Sequence, residues 1–225
     1  MMIFLLLLIF LALLVIDHFY GKRRVVRAIV TPATVQVDET APRLRPHVVS
    51  GFQVPENVRY HPGHTWALKE SPTLVRVGMD DFAAKLLGPV DKITFPQRGQ
   101  WIRQGQRILS IEGHGAKVDL VSPIEGSISD INAVLTKDPV TAGKDPYGDG
   151  WLVTVQAPDA VTNFRNLLGG ALARSWTAEA VARLQSRMPQ LAGALAQDGG
   201  VAVDGLAAQL PEGQFAEIAH EFFLC

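Results

Sequence analysis

Residues 54–158 are cut into short strand-like runs by glycine, proline and aspartate, a punctuation that leaves little room for long helices. The runs are 65–68, 74–77, 91–95, 107–111, 119–122, 126–131 and 151–155, each of a length suited to a strand. Turns are signalled between them by Gln97-Arg98-Gly99-Gln100, Gln104-Gly105-Gln106 and Pro123-Ile124-Glu125-Gly126. One helical segment interrupts them at 80–87, with Asp80 as its N-cap and Gly88 as its stop. Many short strands at this spacing predict a compact antiparallel sandwich or barrel-like fold.

The flanks have a different character. Residues 1–16 form an unbroken apolar run before Asp17. As a helix it spans about 24 Å, slightly short of a ~30 Å hydrocarbon core, and Phe19 and Tyr20 extend it to interfacial depth. No charge precedes the run and no small-x-small cleavage site follows it, so residues 1–20 read as a retained transmembrane anchor rather than a cleaved signal. Lys22, Arg23, Arg24 and Arg27 crowd its C-terminal side, which predicts a single-pass protein with the rest of the chain in the cytoplasm. Residues 21–53 combine this basic flank with a linker containing Pro32, Pro42 and Pro46, an extended spacer.

Beyond Ala157 the period becomes helical. Leu168, Leu172, Trp176, Val181, Leu184 and Met188 form one stripe, with breaks expected at Gly169-Gly170 and Pro189. Phe215, Ile218, Ala219, Phe222 and Phe223 then mark a short amphipathic helix near the C-terminus. Its face must be buried either on the tail's other helices or on a partner protein, so residues 159–225 form a helical extension.

Charge excludes one class of function. With 21 basic against 22 acidic residues the net charge is −1, which lacks the surplus a nucleic-acid binder uses. The lone Cys225 excludes a disulfide framework and a paired-cysteine zinc site. No P-loop, nucleophile elbow or dinucleotide glycine motif is present.

A longer constellation is specific. It runs Tyr60…His64-Thr65-Trp66, then Val77-Gly78-Met79-Asp80-Asp81-Phe82-Ala83 and Leu87-Gly88. It continues with Pro96…Gly99, Gly105, Ile111-Glu112, Ser122-Pro123-Ile124-Glu125-Gly126, Asn132 and Asp145-Pro146-Tyr147-Gly148-Asp149-Gly150-Trp151-Leu152. In this order and spacing, residues 54–158 resemble the H protein of the glycine cleavage system. The resemblance implies a mainly β, lipoyl/biotinyl-carrier-like barrel-sandwich hybrid, here with an N-terminal transmembrane helix and a C-terminal helical tail. It implies scaffold roles for His64, Trp66, Gly126, Asp145, Pro146, Tyr147, Gly148, Gly150 and Trp151. On the residues themselves, the loop glycines are expected to supply φ > 0, and Trp66 and Trp151 to open strands and bury large apolar areas.

The same resemblance implies that the family's chemistry rests on one lysine. In H proteins a hairpin tip of sequence Glu-Ser-Val-Lys-Ala carries lipoic acid, which shuttles an aminomethyl group between a decarboxylase, a tetrahydrofolate-dependent transferase and lipoamide dehydrogenase. Laid down without gaps, this chain reads Glu112-Gly113-His114-Gly115-Ala116-Lys117. Gly115, which has no amine, stands in the lysine position. Lys117 lies two residues on, about 6–7 Å down the same face of the strand. The expected tip is therefore Gly113, His114 and Gly115, and Lys117 is the alternative lipoate attachment site. His61, His64 and His114 invite comparison with a metal or acid–base site, yet their spacing does not bring them together and no acidic partner is evident.

Together these features predict a non-catalytic, membrane-tethered module that has lost the carrier role and serves as an interaction or scaffold protein. No metal and no nucleic acid are expected, nor lipoate at the usual position. The alternative is a working lipoyl carrier modified at Lys117.

Overall fold

The computed structural model describes residues 47–113, 116–188, 204–206 and 214–223. The expected anchor, the basic flank and most of the expected linker lie outside these residues, as do His114 and Gly115. Among the described residues no helix is long and apolar enough to cross a membrane.

Eleven strands and five helices make up the described chain. The strands are β1 (Val48–Val49), β2 (Phe52–Gln53), β3 (Arg59–His61), β4 (Thr65–Lys69), β5 (Leu74–Met79), β6 (Lys92–Thr94), β7 (Trp101–Ile102), β8 (Arg107–Gly113), β9 (Ala116–Val121), β10 (Gly126–Ile131) and β11 (Val153–Gln156). The helices are α1 (Asp81–Leu87), α2 (Thr141–Lys144), α3 (Ala160–Arg165), α4 (Gly170–Arg187) and α5 (Gln214–Phe223). A six-stranded sheet has the order β3-β4-β5-β11-β10-β7, and a three-stranded sheet the order β6-β8-β9. Every pairing in both sheets is antiparallel. All seven expected strands are present with ends shifted by a few residues, while β1, β2, β3 and β7, too short to show a period, were not legible.

Most of the apolar interior forms one cluster, with Val75, Val77 and Val155 of the larger sheet and Ile111, Val118 and Leu120 of the smaller. The helix expected at 80–87 appears as α1. Asp80 Oδ1 accepts the Ala83 N–H at 2.8 Å, and Gly88 ends the helix at φ 74°. All seven residues of α1 are buried, so its charges must be paired. Lys85 Nζ lies 2.5 Å from Asp81 Oδ2, one helical turn apart.

A second cluster gathers Val54, Val58, Tyr60, Trp66, Leu68, Tyr147 and Ala173. Trp66 is fully buried and donates its Nε1–H to Pro146 O at 3.1 Å. A Cβ on Gly78, across the ladder, would lie 2.5 Å from the Trp66 ring, so the bare backbone makes room for the indole. Trp151 departs from expectation. It precedes β11 and is only half-buried, beneath the Arg76 guanidinium at 5.6 Å.

The loop glycines also differ from expectation. Gly148 and Gly150 are absent from the positive-φ residues, and what they supply is space. A Cβ on Gly148 would overlap the Asp145 carboxylate, and one on Gly150 would lie 2.5 Å from Asp145 O. Asp145 caps this loop by accepting the Gly148 and Asp149 N–H groups at 3.1 and 2.8 Å.

In the tail, the chain restarts as a helix at Gly170 and turns Ala173, Thr177, Ala180, Val181 and Leu184 inward. This rotation places Leu172 outside the buried stripe, 61% exposed. Of the two placements open to α5, the intramolecular one holds. Ile218, Ala219, Phe222 and Phe223 are buried in the main cluster, with Phe222 5.1 Å from Phe82 and beneath the Arg183 guanidinium at 5.6 Å. That face is therefore occupied and cannot serve as the partner surface.

Candidate functional site

The β8–β9 hairpin carries Gly113, expected at the tip, and Lys117, the alternative attachment residue. Alternation along the strands sends Leu109, Ile111, Val118 and Leu120 inward and Ser110, Glu112, Lys117 and Asp119 outward. The register pairs Ile111 with Val118, Glu112 with Lys117 and Gly113 with Ala116. The ladder thus runs to the Gly113–Ala116 pair, with two residues between them in sequence.

Lys117 is exposed and stands opposite Glu112, which faces Lys92 on its other side. The outer face near the tip is therefore a row of alternating charge. Lower on the same face, Ser110 Oγ donates to Asp119 and the Arg107 guanidinium lies 2.9 Å from Asp119 Oδ2.

The tip end is held against the body of the protein. Asp91 N–H donates to Glu112 O at 2.8 Å. Gly113 is buried, and a Cβ there would lie 2.6 Å from Pro89 O. A serine at this point, as in the family's Glu-Ser-Val-Lys-Ala pattern, would force the two backbones apart. Beside this contact is a cavity of about 80 Å³ lined by Ala84, Gly88, Pro89, Val140 and Lys144, among others.

The histidines are committed elsewhere. His64 has φ 56°, a left-handed conformation that histidine tolerates better than most residues. Its Nδ1 lies 2.8 Å from Asp80 Oδ2, and its ring stacks on Phe82 at 4.3 Å and meets Trp176 at 4.7 Å. The acidic partner that sequence alone did not reveal is thus Asp80, sixteen residues away and already the cap of α1. His61 Nδ1 accepts the Gly63 N–H at 3.1 Å. Burial, with His64 nearby, holds the His61 imidazole below its usual pKa. Among the described residues no group of three or more His, Cys, Asp or Glu could hold a metal. His114 lies outside them.

Sequence reasoning also missed the polar network around α1. Tyr147 Oη donates to Gln53 O at 2.9 Å and accepts the Asp81 N–H at 3.2 Å. Asp81 Oδ2 accepts the Gln53 N–H at 2.7 Å. Burial pushes the Asp81 carboxyl upward, against the pull of Lys85, and raises both the Tyr60 and Tyr147 hydroxyls. The available signal was Asp81-x-x-x-Lys85, a helical ion-pair spacing. In a charged segment it would read as a solvated face, and only burial gives it weight.

The remaining scaffold residues serve this frame. Gly126 lets β10 approach β11, since a Cβ would overlap Gln156 O. Asn132 Nδ2 donates to the Asp149 and Trp151 carbonyls, both at 2.7 Å.

Comparison with known proteins agrees with this architecture. The family model described as glycine cleavage H-protein matches residues 58–179. The glycine cleavage system H protein of Gloeobacter violaceus is 36% identical over 108 residues, 48% of this chain and 83% of the relative. That of an Anaeromyxobacter species is 34% identical over 108 residues, 48% of this chain and 84% of the relative. The crystal structure of the H protein from Mycobacterium marinum superposes with a TM-score of 0.50 at 28% identity, covering 55% of this chain and 98% of that one. The sandwich, the buried Trp66–Tyr147 frame and the matched segment lead to one conclusion: the chain belongs to the glycine cleavage H-protein family.

Proposed function

We propose that this protein is a membrane-tethered H-protein-like module that presents the family fold as an interaction or scaffold surface and carries no lipoyl group at the usual hairpin position. The observation that carries this reading is the hairpin register. With Gly113 paired to Ala116, the gapless alignment assigns the lysine position to Gly115, in the two-residue connection. An amide-linked lipoyl group needs an amine, and the residue at that position has none. Lys117 is locked into the ladder opposite Glu112, one pair below the last.

The tether rests on the apolar run 1–16 and the basic residues Lys22, Arg23, Arg24 and Arg27, which favour a single-pass arrangement with the H-protein-like domain on the cytoplasmic side. The glycine cleavage enzymes that work with H proteins are the natural class of partner. Docking to them without a reactive arm would localise or compete for them rather than serve turnover.

The second reading is a lipoyl carrier modified at Lys117, favoured by one observation, the exposure of that side chain. Intact mass of the protein from its native membrane, with peptide mapping across residues 110–122, separates the two. An unmodified peptide in cells whose other lipoyl proteins are modified supports the scaffold reading. A lipoyl adduct on Lys117 overturns it. Fractionation with the membrane, resistant to high salt but not to detergent, is the outcome expected of the tether.

A further inference from the structure

At the end of the β8–β9 hairpin remote from its tip lies a cavity of about 320 Å³, lined by Trp101, Gln104, Glu125, Asp159, Asn163 and Asn166, among others. Six residue steps along β8, roughly 20 Å, separate it from Gly113. We propose that this groove is a docking site for an arginine-bearing segment of a partner polypeptide, with the guanidinium lying on the Trp101 indole and paired to Glu125 and Asp159.

Three features carry the assignment. The first is Trp101, a large aromatic side chain left 53% exposed. It sits on β7 opposite Ser127 of β10, so Glu125, just before β10, is its diagonal neighbour across the pair. An exposed indole face is the strongest protein site for a cation over a ring.

The second is charge. Glu125 and Asp159 are exposed, and neither carries an ion pair among the described residues. By contrast Glu56, Glu70, Asp119, Asp130 and Glu221 are each paired with an arginine. A groove with two free carboxylates and an open aromatic face complements a planar cation, which offers both a stacking surface and forked donors.

The third is rigidity. Asn163, 9% exposed, accepts the Glu125 N–H through Oδ1 at 2.6 Å and donates through Nδ2 to Asp159 O at 3.0 Å. Gln104 Nε2 donates to Pro123 O at 2.8 Å and to Asn163 O at 3.0 Å, and Gln104 Oε1 accepts from Asn166 Nδ2 at 2.8 Å. The buried Asn163 amide, braced by the half-buried Gln104, thus holds the backbone of both acidic residues, so binding need not order these walls. This site is independent of the hairpin tip and stands whether or not the tip carries a lipoyl group.

The test uses the full-length chain in mild detergent, labelled with 5-fluorotryptophan, which gives one fluorine resonance for each of four tryptophans. Trp101→Phe assigns the resonance of interest. The probe is the peptide acetyl-Gly-Arg-Arg-Gly-amide, with its citrulline analogue as the uncharged isostere. Saturable movement of the Trp101 resonance is expected with the arginine peptide, with at least roughly tenfold weaker binding of the citrulline peptide. Trp101→Ala lacks the reporting resonance and is read by titration calorimetry beside the unsubstituted chain; it should weaken binding roughly three- to thirtyfold. Glu125→Gln with Asp159→Asn should weaken it roughly fivefold and flatten its salt dependence. All three variants change exposed side chains, and an unchanged Tm shows that the fold is intact. The proposal is overturned by equal response to the citrulline peptide, or by no movement at about 10 mM peptide. It is also overturned if the resonance moves with protein concentration alone, which assigns the groove to a second copy of the chain.

Discussion

The frame around Trp66 and the tip of the β8–β9 hairpin belong to the same domain, yet they tolerate change very differently. In the frame each residue answers to several others. Trp66 bonds to Pro146, rests on the bare backbone of Gly78 and meets Tyr147 at 5.8 Å between ring centroids. Asp80 both caps α1 and holds His64. Near the tip, Gly113 answers to backbone, its ladder partner Ala116 and the Pro89–Val90 segment. A residue whose side chain has many partners cannot be exchanged alone, whereas an exposed position such as Lys117 can change and leave the fold standing.

The contrast can be broken by substitution. Trp66→Ala should destabilise by about 3–5 kcal/mol through cavity formation, leaving the Pro146 carbonyl unbonded besides, as read by denaturant unfolding. Lys85→Met should cost about 3–5 kcal/mol near neutral pH by stranding a buried carboxylate. Because burial already pushes Asp81 upward, the loss should shrink on acidification as Asp81 takes up a proton. Adding Asp81→Asn should recover most of it.

Effects at the tip should be smaller. Gly113→Ser sets a Cβ against Pro89 O. A loss of about 1–3 kcal/mol is expected, with faster amide exchange at Glu112 and Gly113. His61 gives a graded probe between the two regions. Its folded pKa lies below the unfolded 6.5, so the unfolded chain binds the proton first. Stability is then full above pH 6.5 and falls as pH drops through 6.5 towards the folded value. His61→Gln should flatten that slope in the acid limb of a stability–pH curve. Lys117→Arg, at an exposed ladder position, should leave Tm unchanged within error.

Legibility followed the range of the interaction. The Asp80 cap and the Gly88 stop were readable because both act within one helical turn. The turns at Gly99 and Gly105 were readable because each needs φ near +80° and nothing crowds either glycine. The loop of Gly148 and Gly150 was read correctly as a loop, for the wrong reason: close approach of Asp145 selects glycine there, and residue types alone do not separate a lack of space from a need for positive φ. Leu172 was placed on the wrong side because the stripe was carried through Gly169-Gly170, where the helix restarts and its face rotates.

Sequence by itself determined the antiparallel β architecture and the family signature, because strand alternation and turn chemistry are local properties. Only tertiary structure decided that His64 meets Asp80, that Lys85 and Asp81 are buried together, that α5 folds back onto the core, and that Trp101 is left open beside two unpaired carboxylates. Each of these depends on which distant surfaces meet and on how much water they exclude, and burial then sets what a charge or a ring is worth.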